Sequence, residues 1–266
     1  FPNIDRLSIH DSTITIVDLQ SESPPQRFTD VTLSLKNQGS THRVSGYAML
    51  PPGMGYRVDV DAELFGISHK FSDWQGRVYL KGQALALSSA LAHPRPDELD
   101  LQGIADARFW LDIEAAQVRE VRTELDMHDF HLAYQADGKS YNFDAGRLIG
   151  QFGWQATGQG WRFAAQRVTV EQEEHIWQTE SIALTGSTLE GVEYLTGTST
   201  RISLDSLSPL LLALPVLTAE QKHQLAEVQP RGLIEDLYFS VEKSATTTDV
   251  TAITAAFTDL TFRQSS

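Results

Sequence analysis

Cysteine is absent from all 266 residues. That excludes disulfide scaffolds, Cys-ligated zinc, iron–sulfur clusters and thiol catalysis. Basic side chains are scarce: 21 Lys and Arg stand against 35 Asp and Glu, a net charge of −14. Binding to a phosphate backbone rests on clustered cations, so nucleic acid is not an expected partner. Nor is there a polybasic stretch to hold an anionic membrane. Long hydrophobic runs are missing too. The longest, Leu207 to Leu217, is interrupted by Ser208, Pro209 and Pro215, whereas a bilayer span takes about 20 residues. The opening Phe1-Pro2-Asn3 has no initiator Met and no leader pattern, so the chain is expected to be a processed or internal piece, with any anchor elsewhere. With 41% apolar and 21% charged residues, the composition is that of a folded chain long enough to bury a core.

What is present is alternation. Ile14 and Ile16, then Val31, Leu33 and Leu35, then Val58, Val60, Ala62 and Leu64, then Phe109, Leu111 and Ile113, then Val168 and Val170 each alternate with polar or amphipathic neighbours. Period two marks strands with one apolar and one polar face, and clean alternation favours an antiparallel sheet. Turn signals such as Asn37-Gln38-Gly39, Pro51-Pro52-Gly53 and Gly158-Gln159-Gly160 punctuate the runs. They imply roughly a dozen or more strands.

Helical signals are few. Thr218 and Gln221 have capping-box spacing, Pro230 stops the helix, and Leu217, Gln221, Leu225 and Val228 share one of its faces. Ser208-Pro209 suits an N-cap and first-turn proline of a preceding helix that is apolar on every side from Leu210 to Leu214. Leu85 to Ala92 suits a further short helix. No break reads as a domain linker. The expectation is one β-rich segment over 1–266, with a helical insertion near 206–228.

A weak repeat recurs as apolar, any, Asp, apolar, any, apolar: Phe28 to Leu33, Met127 to Leu132, Ile234 to Phe239 and Phe257 to Phe262. It reads as an Asp placed where a strand begins, its carboxylate bonding entry-turn amides.

Catalytic constellations are weak. Asp59, Asp61 and Glu63, or Asp112 and Glu114, lie two apart and share a strand face, as a carbohydrate-active carboxylate pair requires; a solvated strand face explains the same spacing more simply. Asp126 and His128 face opposite to Asp129 and His131 on a regular strand, so a metal site there needs a bulge or partners from other strands. No nucleophile elbow or phosphate loop occurs, since the Gly150–Trp154 and Gly158–Trp161 segments lack a following helix. Glycine beside tryptophan on neighbouring strands reads instead as room made for an indole. No catalytic residue, cofactor or metal is expected.

Several segments resemble a known family. Phe28-Thr29-Asp30-Val31-x-Leu33-x-Leu35, His42-Arg43-Val44-Ser45-Gly46, Trp74-x-Gly76-Arg77-x-Tyr79-Leu80, Gly160-Trp161 and Gln229-Pro230-Arg231-Gly232-x-Ile234-x-Asp236-Leu237 are similar to the YhdP type of the AsmA-like family, over roughly Ile4 to Val241. The resemblance implies a bridge-like lipid transfer protein of the diderm envelope, anchored in the inner membrane by a helix outside this chain. It implies a periplasmic location, a long, strongly curved antiparallel sheet forming an apolar groove, and phospholipid acyl chains as cargo. Flanking segments of the same parent protein are the implied neighbours, with membrane partners at either end.

One-faced strands with few helices to cover them must close as a sandwich or barrel, or stay open as a trough. By parity the groove residues are expected to be Val31, Leu33, Leu35, Val58, Val60, Leu64, Leu111 and Ile113. Leu210, Leu211, Leu212 and Leu214 form an expected plug or gate. The competing readings are a structural or adhesive envelope module with a closed core and, less favoured, a carbohydrate-active enzyme.

Overall fold

Residues that alternate in chemistry become antiparallel strands because successive side chains leave a pleated backbone on opposite faces. The computed structural model describes residues 5–17, 24–67, 71–90, 99–136, 139–172, 175–213, 218–244 and 248–263. The strands are β1 (Arg6–Ile16), β2 (Gln26–Gln38), β3 (Thr41–Met49), β4 (Arg57–Phe65), β5 (Gln75–Ala86), β6 (Leu99–Glu114), β7 (Gln117–Ala136), β8 (Lys139–Thr157), β9 (Gly160–Gln172), β10 (His175–Leu189), β11 (Val192–Ser203), β12 (Arg231–Lys243) and β13 (Thr248–Thr261). Each is hydrogen-bonded to the next in sequence, giving one open sheet of 13 strands in the order β1 to β13. The fold is mainly β, as the alternation implied, and the sheet is not closed.

Packing divides the chain into two compact units. One comprises Phe1–Ala90 with Ile104–Leu125, the other Leu91–Gly103 with Asp126–Ser266. The first has, among its described residues, only one-turn helical pieces: a 3-10 turn at Phe71–Asp73 and α1 at Leu87–Ala90. Helix α1 falls within the stretch where a short helix was expected, but Leu85 and Ala86 belong to β5, and residues 91 and 92 lie outside the described residues. The second unit carries α2 (Leu204–Ala213) and α3 (Ala219–Val228), close to the expected insertion.

The Asp repeat is real, but its place in the strand is not the expected one. Asp30, Asp129, Asp236 and Asp259 lie inside β2, β7, β12 and β13 rather than at their starts, each with φ between 48° and 53°. A single left-handed residue inside a strand is a bulge, and Asp tolerates that conformation better than most side chains. The bulge resets side-chain parity, so apolar residues three apart face the same way. Ser12 and Ile14, two apart on β1, stand opposite Val31 and Phe28 of β2. Likewise Met127 and Phe130 are both buried while His128 and Asp129 between them are exposed. Ala84 and Arg167 make the same left-handed step in β5 and β9.

The helix boundaries also correct one expectation. Helix α2 begins at Leu204, so Ser208 is not its cap and Pro209 lies inside it. The proline costs the bond to the Asp205 carbonyl, four residues back. Asp205 suits the first turn, and its Oδ2 accepts the Gly232 N–H at 3.0 Å, tying the helix start to β12. The capping box of α3 forms as read: Thr218 Oγ1 accepts the Gln221 N–H at 3.2 Å and Gln221 Oε1 accepts the Thr218 N–H at 3.0 Å. Its packed face differs, however. Lys222 is buried, Leu225 and Ala226 are half-buried, and Gln221 and Val228 are exposed. Leu217 lies outside the described residues.

Candidate functional site

In the first unit, strand register lines up apolar residues across six strands. Leu7, Leu35, Val44, Ala62, Val78 and Leu111 stand opposite one another in turn. Beside them run Ile9, Leu33, Gly46, Val60, Leu80 and Phe109. A shorter row joins Ala48, Val58, Gly82 and Ala107, and Leu64, Gly76 and Ile113 end the face. Seven of the eight residues nominated from parity stand in these rows; Val31, opposite Ser12 of β1, is not among them. Val31 is buried, while Leu33, Leu35, Val58, Val60, Leu64, Leu111 and Ile113 are only half-buried. No helix longer than one turn exists among this unit's described residues to cover them. Contiguous apolar surface of this kind usually marks a binding face.

Sequence reading missed Leu80, Phe109, Val78 and Val44 as members of the same rows. Gly46, Gly76 and Gly82 interrupt the apolar count along β3 and β5, although as small residues they belong to the face.

The row that ends the face is polar at one side. His42 Nδ1 lies 2.8 Å from Asn37 Oδ1 and its Nε2 lies 3.1 Å from the Gly66 carbonyl oxygen. The imidazole stacks on Trp74, with ring centroids 4.8 Å apart. A histidine engaged at both nitrogens and on one ring face is a structural stop to the apolar rows.

The opposite face of the first unit is a charge lattice. Arg43 bonds Glu63 at 2.8 Å through Nε, Arg57 bonds Asp59 at 2.6 Å, Arg77 bonds Asp112 at 3.2 Å, and Arg108 bonds Glu124 at 2.8 Å. Arg122 also approaches Asp112, and Arg119 lies 3.4 Å from Glu114. Asp59, Glu63, Asp112 and Glu114 are thus engaged by guanidinium groups, as on a solvated face.

The second unit repeats the arrangement. Trp154, Phe163, Leu184, Gly197, Phe239 and Ile253 form one cross-strand row, and Ala156, Trp161, Gly186, Leu195, Val241 and Val250 the next. Gly186 faces the Trp161 indole and Gly197 the Phe239 ring, with no room for a Cβ at either position. Room for the Trp161 indole is thus made by Gly186 of β10, not by the glycines of the Gly150–Trp154 and Gly158–Trp161 segments, of which Gly150 and Gly160 meet Phe152 and the Gly186 backbone and Gly158 meets nothing within 4 Å. These rows are largely half-buried, and Ile253 and Val250 on β13 are exposed. Past the bulge in β9 the same face changes character: Val168, Val170 and Ile202, with Leu132, Phe143 and Ala145, are buried. Helix α2 packs there, against β8 and also against β11 and β12.

The nominated plug residues Leu210, Leu211 and Leu212 lie on α2 and are half-buried. Leu214 lies outside the described residues. Helix α3 is held by Lys222, 2% exposed. Its Nζ donates to the Leu212 carbonyl at 2.7 Å and sits 4.2 Å and 4.7 Å from the Tyr134 and Tyr141 ring centres. Burial pushes the ammonium below its ordinary pKa. Sequence reading missed it, because a lysine on a helix is ordinarily solvated.

The Asp/His run of β7 has the bulge that a metal site would need, yet Asp126 and His131 are engaged by residues of β8 and His128 lies against Asp126. Arg147 donates to Asp126 at 2.9 Å and 2.8 Å, His128 lies 3.4 Å from Asp126, and His131 lies 2.6 Å from Asp144. No group of three His, Asp or Glu residues suited to a metal occurs among the described residues. The Arg147 bonds hold the Asp126 carboxyl below its ordinary value of 3.8, with His128 adding to the effect. A depressed carboxylate stabilises the fold above its unfolded pKa, and that contribution is lost as pH falls through the folded value. Replacing Arg147 with Gln is expected to return the Asp126 titration to the ordinary range and move acid unfolding to higher pH. A ¹³C-carboxyl NMR titration reads the first effect, and an unchanged Asp126 midpoint would refute the assignment.

The fold is thus an open antiparallel sheet of 13 strands, mainly β, with apolar cross-strand rows in each unit. The chain belongs to the YhdP protein family, whose family model matches residues 1–266. No match was found among curated proteins or among solved structures. No helix among the described residues is long and apolar enough to cross a membrane.

Proposed function

We propose that this chain is a non-enzymatic, lipid-conducting segment of an envelope protein. Its apolar face curves into a groove that carries phospholipid acyl chains through the periplasm between inner and outer membranes. The supporting observation is the pair of cross-strand rows from β1 to β6, six strands wide and for the most part half-buried, with Leu7 exposed and Ala62 buried. Moving two acyl tails of about 30 methylenes through water costs on the order of 20 kcal/mol at about 0.8 kcal/mol per CH₂. An apolar floor removes most of that barrier without any specific contact, which suits rows of aliphatic residues with no convergent polar groups. With strands about 4.8 Å apart, the six of the first unit supply roughly 25 Å of floor. Family membership supports the lipid class. Val31, Leu33, Leu35, Val58, Val60, Leu64, Leu111 and Ile113 are the proposed lining, and Leu210, Leu211, Leu212 and Leu214 the proposed plug or gate. The remainder of the parent protein, with its anchor in the inner membrane, supplies the flanking groove.

Photo-crosslinking in the intact envelope with phosphate-labelled lipid tests this reading. Probes at Leu33 and Leu111 are expected to capture lipid, and probes at Thr32 and Asp112 on the opposite face are not. Capture at neither pair in a folded, functional protein would overturn the conduit and leave a structural envelope module.

A further inference from the structure

Three features of the second unit converge on the face beneath α2. The first is coverage. The helix touches β8 on one side and β11 and β12 on the other, so it crosses the ends of β9 and β10 like a strap. Ten residues make about 15 Å of helix, and three strand spacings from β8 to β11 make nearly the same distance. The strands β9 and β11 carry Val168, Val170 and Ile202, all buried and continuous along their strands with the half-buried rows of the same unit. The helix contributes Leu207, Leu210, Leu211 and Leu212, all only half-buried.

The second feature is how the strap is held. Permanent attachment of helices to a sheet ordinarily uses apolar side chains. Here the one fully buried side chain among the described residues of α3 is Lys222. It reaches the last turn of α2 through the Leu212 carbonyl and sits in the Tyr134–Tyr141 cage, with no carboxylate against it among the described groups. One ammonium thus joins α3, the C-terminal end of α2, β7 and β8, donating to a carbonyl in the last turn of α2.

The third feature is an unsatisfied donor. Trp177 stands opposite Val170 on this face, and its Nε1 is buried with no hydrogen-bond partner. A buried N–H without an acceptor is costly, and its presence calls for a group that fills it.

We propose that the face beneath α2 is a second lipid position: the strap is displaced when Lys222 releases Leu212, an acyl chain takes the place of the α2 leucines, and the Trp177 N–H bonds an ester or phosphate oxygen of that lipid. This deepens the conduit reading and rests on it for the class of ligand. The latch itself does not depend on lipid.

Hydrogen exchange of the full chain separates the two. Without lipid, Lys222→Met keeps the aliphatic stem but removes the ammonium, and is expected to raise exchange of the α2 amides about tenfold while β9 to β11 stay at wild-type values. Lys222→Arg is expected to recover part of the protection. With vesicles of phosphatidylethanolamine and phosphatidylglycerol, α2 exchange is expected to rise further in the wild type. Trp177→Phe is expected to weaken that lipid response several-fold without altering lipid-free exchange. Wild-type α2 exchange in Lys222→Met overturns the latch. A lipid response equal to wild type in Trp177→Phe overturns the donor's role. Crosslinking at Leu33 with α2 exchange insensitive to lipid overturns the second position and leaves the conduit standing. No lipid signal at either place overturns both.

Discussion

On the proposed conduit reading, replacing Val60 with Asp is expected to strip the first unit of lipid while leaving it folded. Val60 sits mid-row between Gly46 of β3 and Leu80 of β5 and is half-buried. In the lipid-free protein the new carboxylate remains hydrated, because no described helix of that unit lies over it. Under an acyl chain the same carboxylate must be desolvated or protonated, a penalty of several kcal/mol. About 4 kcal/mol corresponds to roughly a thousand-fold loss of occupancy. Asp61→Asn, one residue along and on the opposite face, is the control and is expected to leave lipid content unchanged. Lipid extracted from the purified chain and weighed by mass spectrometry reads the effect, with the urea midpoint as the check on folding. Wild-type lipid content in a folded Val60→Asp protein would remove Val60 from the conduit.

The largest stability effect is expected at Gly76, where β5 pairs with β4. Its φ is +147°, and a Cβ there would collide with the Glu63 carbonyl oxygen and lie 2.8 Å from the Leu64 Cα. Both obstacles are backbone, so no rotamer change relieves them. Gly76→Ala is expected to cost at least about 3 kcal/mol, by strained dihedrals and a broken strand pairing. Gly39, at the β2–β3 turn, has φ +62° and nothing within 4 Å of an added Cβ. Gly39→Ala meets only the left-handed penalty, about 1 kcal/mol. Urea denaturation of the two variants is expected to order them widely apart. Equal midpoints would show that the β4–β5 contact is looser than described.

The pattern of the two variants reflects what was legible beforehand. Val60 was nominated from its alternation with Asp59 and Asp61, and the register places it in one cross-strand row with Leu33, another nominated residue. Gly76 appeared only as part of a Trp-x-Gly-Arg segment, since a collision with Glu63 is a property of the neighbouring strand. The Asp repeat was visible as a pattern but read as a strand start. Nothing local distinguishes an Asp that caps an entry turn from one that bulges a continuing strand, because both use its tolerance of left-handed backbone. Pro209 misled for a similar reason: its ring suits a first helical turn, yet α2 runs through it from Leu204. The α3 capping box was read correctly, since all its partners lie within four residues.

Sequence alone determined which residues alternate along β1, β2, β4, β6 and β9, where several hairpins turn, and that few helical segments are at hand to cover so many strands. Those features are local, because side-chain alternation and turn chemistry act over two to four residues. Only tertiary structure decided that the 13 strands form one open sheet, that bulges realign the faces, and that α2 lies across one apolar face with Lys222 buried behind it. These outcomes depend on pairings between residues tens of positions apart, where the free energy of register, coverage and desolvation is set by partners that no single segment of the chain contains.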